Sequence, residues 1–368
     1  MTSTSSAATS WPELTAALLR RDDLTEQQAS WAMDQVMSGD STAVQLAGFL
    51  VALRGKGETS NEIGGLVGAM LDHSAPVALP ADLGPVVDTC GTGGDRSNTV
   101  NISTMSAVVV AAAGAPVVKH GNRAASSAAG SADVLEALGV VVDLPPESIG
   151  PCVEQAGIAF CFAPVFHQGM RHAAVARREL GLPTVFNILG PLANPARPSA
   201  QLVGCADIRL APLMAAVLSA RGTKALVVRG EDGLDELSTA APTRVWDATG
   251  IGVQESVIDP AECGIAAPAP GALGGQDAAF NAAVARSVIS GERSSTLDPV
   301  RDAVLLGAAG ALIAYDAACG MSVVGTVTER LIAVLPRAVD AIDSGAAGRT
   351  LDRWISVSQA LKGSRAQG

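Results

Sequence analysis

The sequence predicts a two-part α/β protein: a small all-helical domain, then a larger domain built on a mostly parallel sheet. Three observations lead there. From Trp11 to about Ser74, apolar residues recur only at helical spacing. From Val86 onward, short β-branched runs alternate with helical stretches, as in a parallel sheet covered on both faces. The first of those runs ends in Gly91-Thr92-Gly93-Gly94-Asp95, a turn with three glycines in four residues.

In order along the chain, residues 1–10 are rich in Ser and Thr, with neither a basic nor an apolar leader, and read as a disordered tail. Residues 11–84 form the helical domain. Its apolar faces are Leu14, Ala17 and Leu18; Ala29, Met33, Val36 and Met37; Val44, Ala47, Leu50 and Val51; and Ile63, Leu66, Val67 and Met70. Three prolines between Pro76 and Pro85 mark a linker. Residues 85–166 and 199–368 form the α/β domain. It carries strands at 86–90, 116–120, 140–144, 158–163, 201–206 and 225–230, and helices at 102–113, 132–138, 147–156 and 210–220. Ser131 is expected to cap the second helix, Gly139 to end it, and Pro212 to interrupt the last near its start. Residues 243–258 read as a hairpin, and the chain from Asp277 as mostly helical. An insertion at about 167–198, with its own helix and an Asn187–Pro191 turn, is expected to pack on the N-terminal helices.

Composition removes several function classes. The net charge of −11 and 3% aromatic content argue against nucleic acid and anionic membrane as partners. Six cysteines without C-x-x-C spacing read as reduced thiols in a cytoplasmic protein. The longest nearly unbroken apolar stretch, Met105–Val118, is too short to span a bilayer.

Four stretches carry chemistry. A buried strand, a glycine-rich loop and a helix start with Asn101, Ser103 and Thr104 together make an anion site, suited to phosphate or pyrophosphate. The spacing fits neither the common nucleotide P-loop nor the dinucleotide fingerprint. Lys119-His120-Gly121-Asn122-Arg123 follows another strand and places two cations and an amide beside that loop; His120 receives no proton-transfer role. Glu231, Asp232, Asp235 and Glu236 follow a third strand and suit a hard cation such as Mg²⁺. Arg171, Arg177 and Arg178 lie on the insertion helix, with Arg171 and Arg178 sharing a face; such a row is either carboxylate-binding or a solvated basic surface.

Taken together, Gly91–Asp95, Asn101-Ile102-Ser103-Thr104, Lys119–Arg123, Phe186–Pro195 and Asp235-Glu236 resemble the anthranilate phosphoribosyltransferase family, in family order from about Trp11 to Trp354. The resemblance implies a nucleoside phosphorylase/phosphoribosyltransferase-like fold, hinged between its domains. It implies transfer of the 5-phosphoribosyl group from phosphoribosyl pyrophosphate (PRPP) to the amine of anthranilate, with release of pyrophosphate, the second step from chorismate to tryptophan. By the same resemblance Gly91, Gly94, Asp95, Thr99, Asn101, Ile102, Ser103, Thr104, Lys119, Ser127 and Ser131 hold PRPP. Gly91, Asn122 and Arg177 hold anthranilate, and Ser103, Asp235 and Glu236 bind Mg²⁺, two ions entering with PRPP. No side chain is implied as a covalent or acid–base catalyst, and the enzyme is implied to be a homodimer joined through its helical domain. Arg96 stands where the family usually has glycine, Met170 where some relatives carry an aromatic, and Gly307 where Asn is common. A pyrimidine nucleoside phosphorylase shares this fold but is disfavoured by Asp235-Glu236 and by Asn187–Pro195. A noncatalytic nucleic-acid-binding relative is disfavoured by the acidic charge.

Overall fold

The computed structural model describes residues 9–124 and 128–365. The chain divides into two compact units, with crossings at Ser74/Ala75, Phe166/His167 and Ala193/Asn194.

The first unit contains α1 (Trp11–Leu19), α2 (Glu26–Ser38), α3 (Ala43–Lys56) and α4 (Ser60–Asp72). Three of these begin with reciprocal caps, Thr25 with Gln28, Thr42 with Gln45 and Thr59 with Glu62, which fix where each helix starts. One expected face is wrong. In α3 the buried residues are Leu46, Phe49, Leu50, Ala52 and Leu53, whereas Val44 and Val51 are exposed. A nearly all-apolar helix offers two candidate stripes, and spacing alone does not choose between them.

The second unit is organised on a seven-stranded sheet. Its strands are β1 (Val87–Gly91), β2 (Val117–Gly121), β3 (Ile158–Phe162), β4 (Ala200–Gly204), β5 (Lys224–Gly230), β6 (Thr243–Asp247) and β7 (Gln254–Ile258). Their order is β3-β2-β1-β4-β5-β6-β7; the first five are parallel, and the expected hairpin adds β6 and β7 antiparallel. The order runs outward from β1 in one direction and from β4 in the other. The switch point therefore lies between β1 and β4, where parallel α/β sheets bind ligands at the carboxyl ends of their strands.

Around the sheet lie α5 (Ile102–Ala112), α6 (Ser131–Leu138), α7 (Pro146–Ala156) and the short α8 (Ala163–Phe166). The insertion holds α9 (Ala174–Leu180) and α10 (Phe186–Leu192). After it come α11 (Ala211–Ala220), α12 (Ala278–Ile289), α13 (Asp298–Ala318), α14 (Val327–Asp343) and α15 (Ala346–Arg365). Helix α13 packs on α5, and Gly307 is the reason it can: a Cβ there would stand 2.6 Å from Ser106 Oγ. Ser106 Oγ donates to Val304 O at 3.1 Å across the same contact.

Several local expectations are corrected. Residues 140–144 form no strand; Val140, Val142 and Leu144 are buried, and Val141 N donates to Ser358 Oγ from α15 at 3.1 Å. Ser131 opens α6 rather than capping it, since Gly130 is the N-cap and Asp133 supplies the capping carboxylate. Pro212 falls in the first turn of α11, where a missing N–H costs nothing. The 187–191 segment is helical, its start held by Thr184 N donating to Asn187 Oδ1 at 3.0 Å. Arg171 lies in a 3₁₀ turn (Gln168–Ala173) ahead of α9, so the shared face argued for Arg171 and Arg178 does not exist.

Candidate active site

Strand β1 delivers the glycine-rich loop to the switch point, and β4 forms its floor. Thr92 N donates to Gly204 O at 3.0 Å, and Ala206 N donates to Thr92 Oγ1 at 3.1 Å. Gly93 and Gly94 take φ of +65° and +87°, and nothing stands within 4 Å of where their Cβ atoms would be. The space around Gly93 is open, so within the chain the backbone conformation is what constrains that position. Arg96 also sits at φ +62°, which accounts for the glycine expected at its position.

The loop is pinned on its far side by a segment that sequence reasoning passed over. Val100 N donates to Leu273 O at 2.9 Å and Gly275 N to Asn98 O at 2.7 Å, with Thr99 bridged to Gly274. Asn281, buried in α12, donates through Nδ2 to Asn101 Oδ1 at 3.0 Å. Asn101 in turn donates to Ala129 O at 3.1 Å, so its side chain ties two loops together instead of capping α5. Ile102 turns its side chain into the core and gives its N–H to Val100 O. The Thr104 hydroxyl is buried with no hydrogen-bond partner among the described residues.

Of the four clustered carboxylates, two are structural. Asp232 accepts from Ser238 Oγ at 2.7 Å and from Leu234 N at 3.2 Å, shaping its own turn. Glu231 faces Arg244 at the surface, 3.7 Å away. The other two stand at the switch point. Asp235 accepts from Gly93 N at 2.7 Å, and its backbone lies so close that only glycine fits at Gly204. Burial pushes the Asp235 carboxyl well above the usual carboxylate range, and the neighbouring Glu236 and Asp95 charges add to the rise. Glu236 is pushed up to about 7 by burial, against the pull of Lys119. Two recessed, mutually repelling carboxylates and the Ser103 hydroxyl form a hard-oxygen donor set that a divalent cation would relieve. Among the described residues, no three His, Cys, Asp or Glu side chains converge into a protein-only metal cage. Mg²⁺ typically takes one or two carboxylates and completes its shell with water and substrate phosphates.

Lys119 is almost wholly buried beneath this loop, donating to Thr89 O and, at 3.3 Å, to Ser103 Oγ. Arg123, expected as a second cation beside the loop, is committed elsewhere. It pairs with Asp133 at 2.9 Å and Glu136 at 2.6 Å and lies over the Phe162 ring. Asn122 is exposed, and its carbonyl accepts from Ala132 N and Ser131 Oγ at 3.2 and 3.3 Å. Ser127 lies outside the described residues.

In the first unit, Arg177 keeps much of its surface open while its guanidinium lies over the Phe186 ring, 5.6 Å from the centroid. Burial of the guanidinium lowers its pKa, and among the described residues no carboxylate pairs with it. It therefore presents donors without a bound acceptor. Met170 sits in the preceding 3₁₀ turn, its N–H donated to His167 O.

Comparison with known proteins gives this geometry a family. Residues 83–347 match the model of the glycosyl transferase family a/b domain, and residues 12–74 that family's helical bundle domain. Curated anthranilate phosphoribosyltransferases from Salinispora arenicola and Saccharopolyspora erythraea are 55% and 56% identical, covering 96% and 95% of this chain and 98% and 97% of theirs. The crystal structure of the Thermus thermophilus enzyme is 39% identical, covering 94% of this chain and 99% of its own, with a TM-score of 0.84. The Saccharomyces cerevisiae enzyme, solved in complex with PRPP and Mg, is 26% identical over 96% and 99% of the two chains, with a TM-score of 0.83. A strand-end anion loop backed by two recessed carboxylates, on a chain matched end to end by these relatives, places it in the anthranilate phosphoribosyltransferase family.

Proposed function

We propose that the β1/β4 switch point carries out the family reaction: the C1–O bond of PRPP breaks, a C1–N bond forms to the anthranilate amine, and pyrophosphate leaves. The observation that carries the reading is the recessed Asp235–Glu236 pair abutting the glycine-rich loop. Gly91, Gly94, Asp95, Thr99, Asn101, Ile102, Ser103, Thr104, Lys119, Ser127 and Ser131 are assigned to PRPP. The open N–H groups of a glycine turn and the start of α5 suit its phosphates, and the unpartnered Thr104 hydroxyl is one further donor. Gly91, Asn122 and Arg177 are assigned to anthranilate, Arg177 through its carboxylate.

Asp235, Glu236 and Ser103 would hold Mg²⁺, two ions arriving with PRPP. Bound Mg²⁺ supplies electrostatic stabilisation of the charge that builds on departing pyrophosphate. The chain's own part is positional. The loop and Lys119 fix the phosphates, Arg177 orients the acceptor, and the amine, already neutral at pH 7, attacks without a protein base and releases its proton to solvent.

A second copy of this chain is the proposed partner, docking on α1 and α3. Val44, Gly48, Val51 and Gly55 fall along one exposed face of α3, and Leu19 of α1 is 73% exposed. An apolar face with small residues permits close approach. Sedimentation of Val44→Lys/Val51→Glu should show monomers where the parent chain shows dimers. No described helix is long and apolar enough to cross a membrane. None of the six cysteines is joined in a disulfide and four of them are buried, which supports a reducing cytoplasm as the compartment.

The activity test is loss of anthranilate fluorescence with PRPP and Mg²⁺, matched by pyrophosphate release. Asp235→Ala and Glu236→Ala should each lower turnover and raise the Mg²⁺ requirement. Phosphate-dependent nucleoside cleavage in place of pyrophosphate release would overturn the assignment in favour of a phosphorylase.

A further inference from the structure

Neighbouring strands of the sheet pair over five residues, with one exception: β1 and β2 are in register only at Val87↔Val117. Val87 N donates to Pro116 O, so a continued parallel ladder would next join Thr89 N to Val118 O and His120 N to Thr89 O. Side chains take those positions instead. Val118 O accepts from Asn194 Nδ2 at 2.8 Å. His120 N donates to Asp88 Oδ1 at 3.1 Å. Thr89 O accepts from the Lys119 ammonium. Asn194 Nδ2 also reaches Asp88 Oδ2 at 2.9 Å, closing the set.

All three side chains are buried: Asp88 is 0% exposed, Lys119 1% and Asn194 2%. A buried carboxylate and ammonium are costly unless each is matched by hydrogen bonds and opposite charge, as they are here. The cost is incurred at one place, within the two strands that carry the glycine-rich loop and the Asn122 loop at their carboxyl ends. Neither Asp88 nor Asn194 faces solvent or belongs to the proposed ligand set.

We propose that Asp88 and Asn194 are positioning residues for PRPP, a side-chain splice that holds β1 and β2 apart and aims the Lys119 ammonium between them. With a backbone ladder in its place, the strands would close to about 4.8 Å. The Lys119 stem would then lose the gap through which it reaches Thr89 O and Ser103 Oγ. The inference rests on the PRPP reading of this site.

The test is calorimetric PRPP binding with Mg²⁺ to the full-length protein and to Asp88→Asn and Asn194→Ala. A third variant, Leu218→Ala in α11, removes a buried side chain from a different helix and serves as a control for lost stability. The splice predicts that Asp88→Asn and Asn194→Ala raise the Kd for PRPP about tenfold or more, since each removes a hydrogen bond to or within a charged pair. Leu218→Ala should lower the melting temperature and leave the Kd alone. Should Asp88→Asn fail to fold, Asn194→Ser keeps a small polar group and is read in its place. The proposal is overturned if the folded variants bind PRPP like the parent, or if Leu218→Ala weakens binding equally. Failure of the parent chain itself to bind PRPP would instead remove the functional reading on which the splice depends.

Discussion

Replacing Gly91 by alanine tests the metal assignment by displacing a carboxylate rather than substituting it. Gly91 is not at positive φ, so the backbone accepts alanine and the effect is confined to the added methyl group. That Cβ would stand 2.4 Å from Asp235 Oδ2 and 3.1 Å from its Cγ. Ordinary contact begins near 3.4 Å, so the carboxylate must retreat by about 1 Å. Retreat breaks its 2.7 Å bond from Gly93 N, which anchors the loop to the acidic pair. A hydrogen bond to a charged group contributes about 1.5–3 kcal/mol. The Mg²⁺ concentration for half-maximal turnover should therefore rise roughly 10- to 150-fold at saturating PRPP. Initial rates of anthranilate consumption across a Mg²⁺ titration read this directly. An unchanged Mg²⁺ midpoint, in a variant that melts like the parent, would show that the position of Asp235 does not set metal affinity.

Arg177→Ala should raise the KM for anthranilate by roughly 10- to 150-fold through the lost charge-assisted contact, while Arg178→Ala stays near neutral. The reverse pattern would mean that the other arginine meets the carboxylate. Glu236, pushed up to about 7 against an ordinary value of 4.5, keeps a proton in the fold that the unfolded chain has already released. Metal-free stability contributed by this proton is thus lost as pH rises from about 4.5 through 7, by up to about 1.4 kcal/mol per pH unit. Glu236→Gln should flatten that part of the melting profile; an identical slope in both proteins refutes the shift. Arg96→Gly should be at least as stable as the parent, and Arg96→Val less stable by about 1 kcal/mol or more, because Arg96 sits at φ +62°. Equal melting temperatures for all three would exclude strain at this turn.

What the sequence made legible follows from how local each signal is. The apolar runs at Val87, Val117, Ile158, Ala200 and Lys224 mark strands to within two residues at either end, because buried parallel strands need little beyond their own side chains. Residues 140–144 carry the same signal and form no strand. Their partner is a serine hydroxyl on α15, 217 residues away, and nothing local announces it. The site divides in the same way. Gly93, Gly94, Asp235 and Glu236 stand out by composition and by position after a strand. Asp88, Asn194 and Asn281 do not, for a buried polar side chain looks like any other until the backbone group it serves is known. Arg123 misleads for the converse reason: it follows the right strand, yet Asp133 and Glu136 on α6 capture it.

An anion site on this acidic chain has to overcome charge of its own sign. Near the glycine-rich loop one ammonium, Lys119, stands among Asp88, Asp95, Asp235 and Glu236, and Arg123 is spent at the surface. Burial has raised Asp88, Asp235 and Glu236, which shows that the fold already resists further negative charge there. Bare pyrophosphate would add several negative charges at short range, where each unit pair costs on the order of 4 kcal/mol at 4 Å in a partly screened site. The backbone N–H groups cannot offset that alone. PRPP should therefore bind weakly or not at all without Mg²⁺, and the double variant Asp235→Asn/Glu236→Gln should invert the dependence. Measured above about pH 7, where Glu236 is ionised in the parent, metal-free PRPP binding should be tighter in the double variant, even as turnover collapses. Calorimetry in EDTA and in excess Mg²⁺, on parent and double variant, gives the four affinities needed. If the double variant binds PRPP no better than the parent in EDTA, repulsion by these carboxylates is not what makes the site depend on a cation.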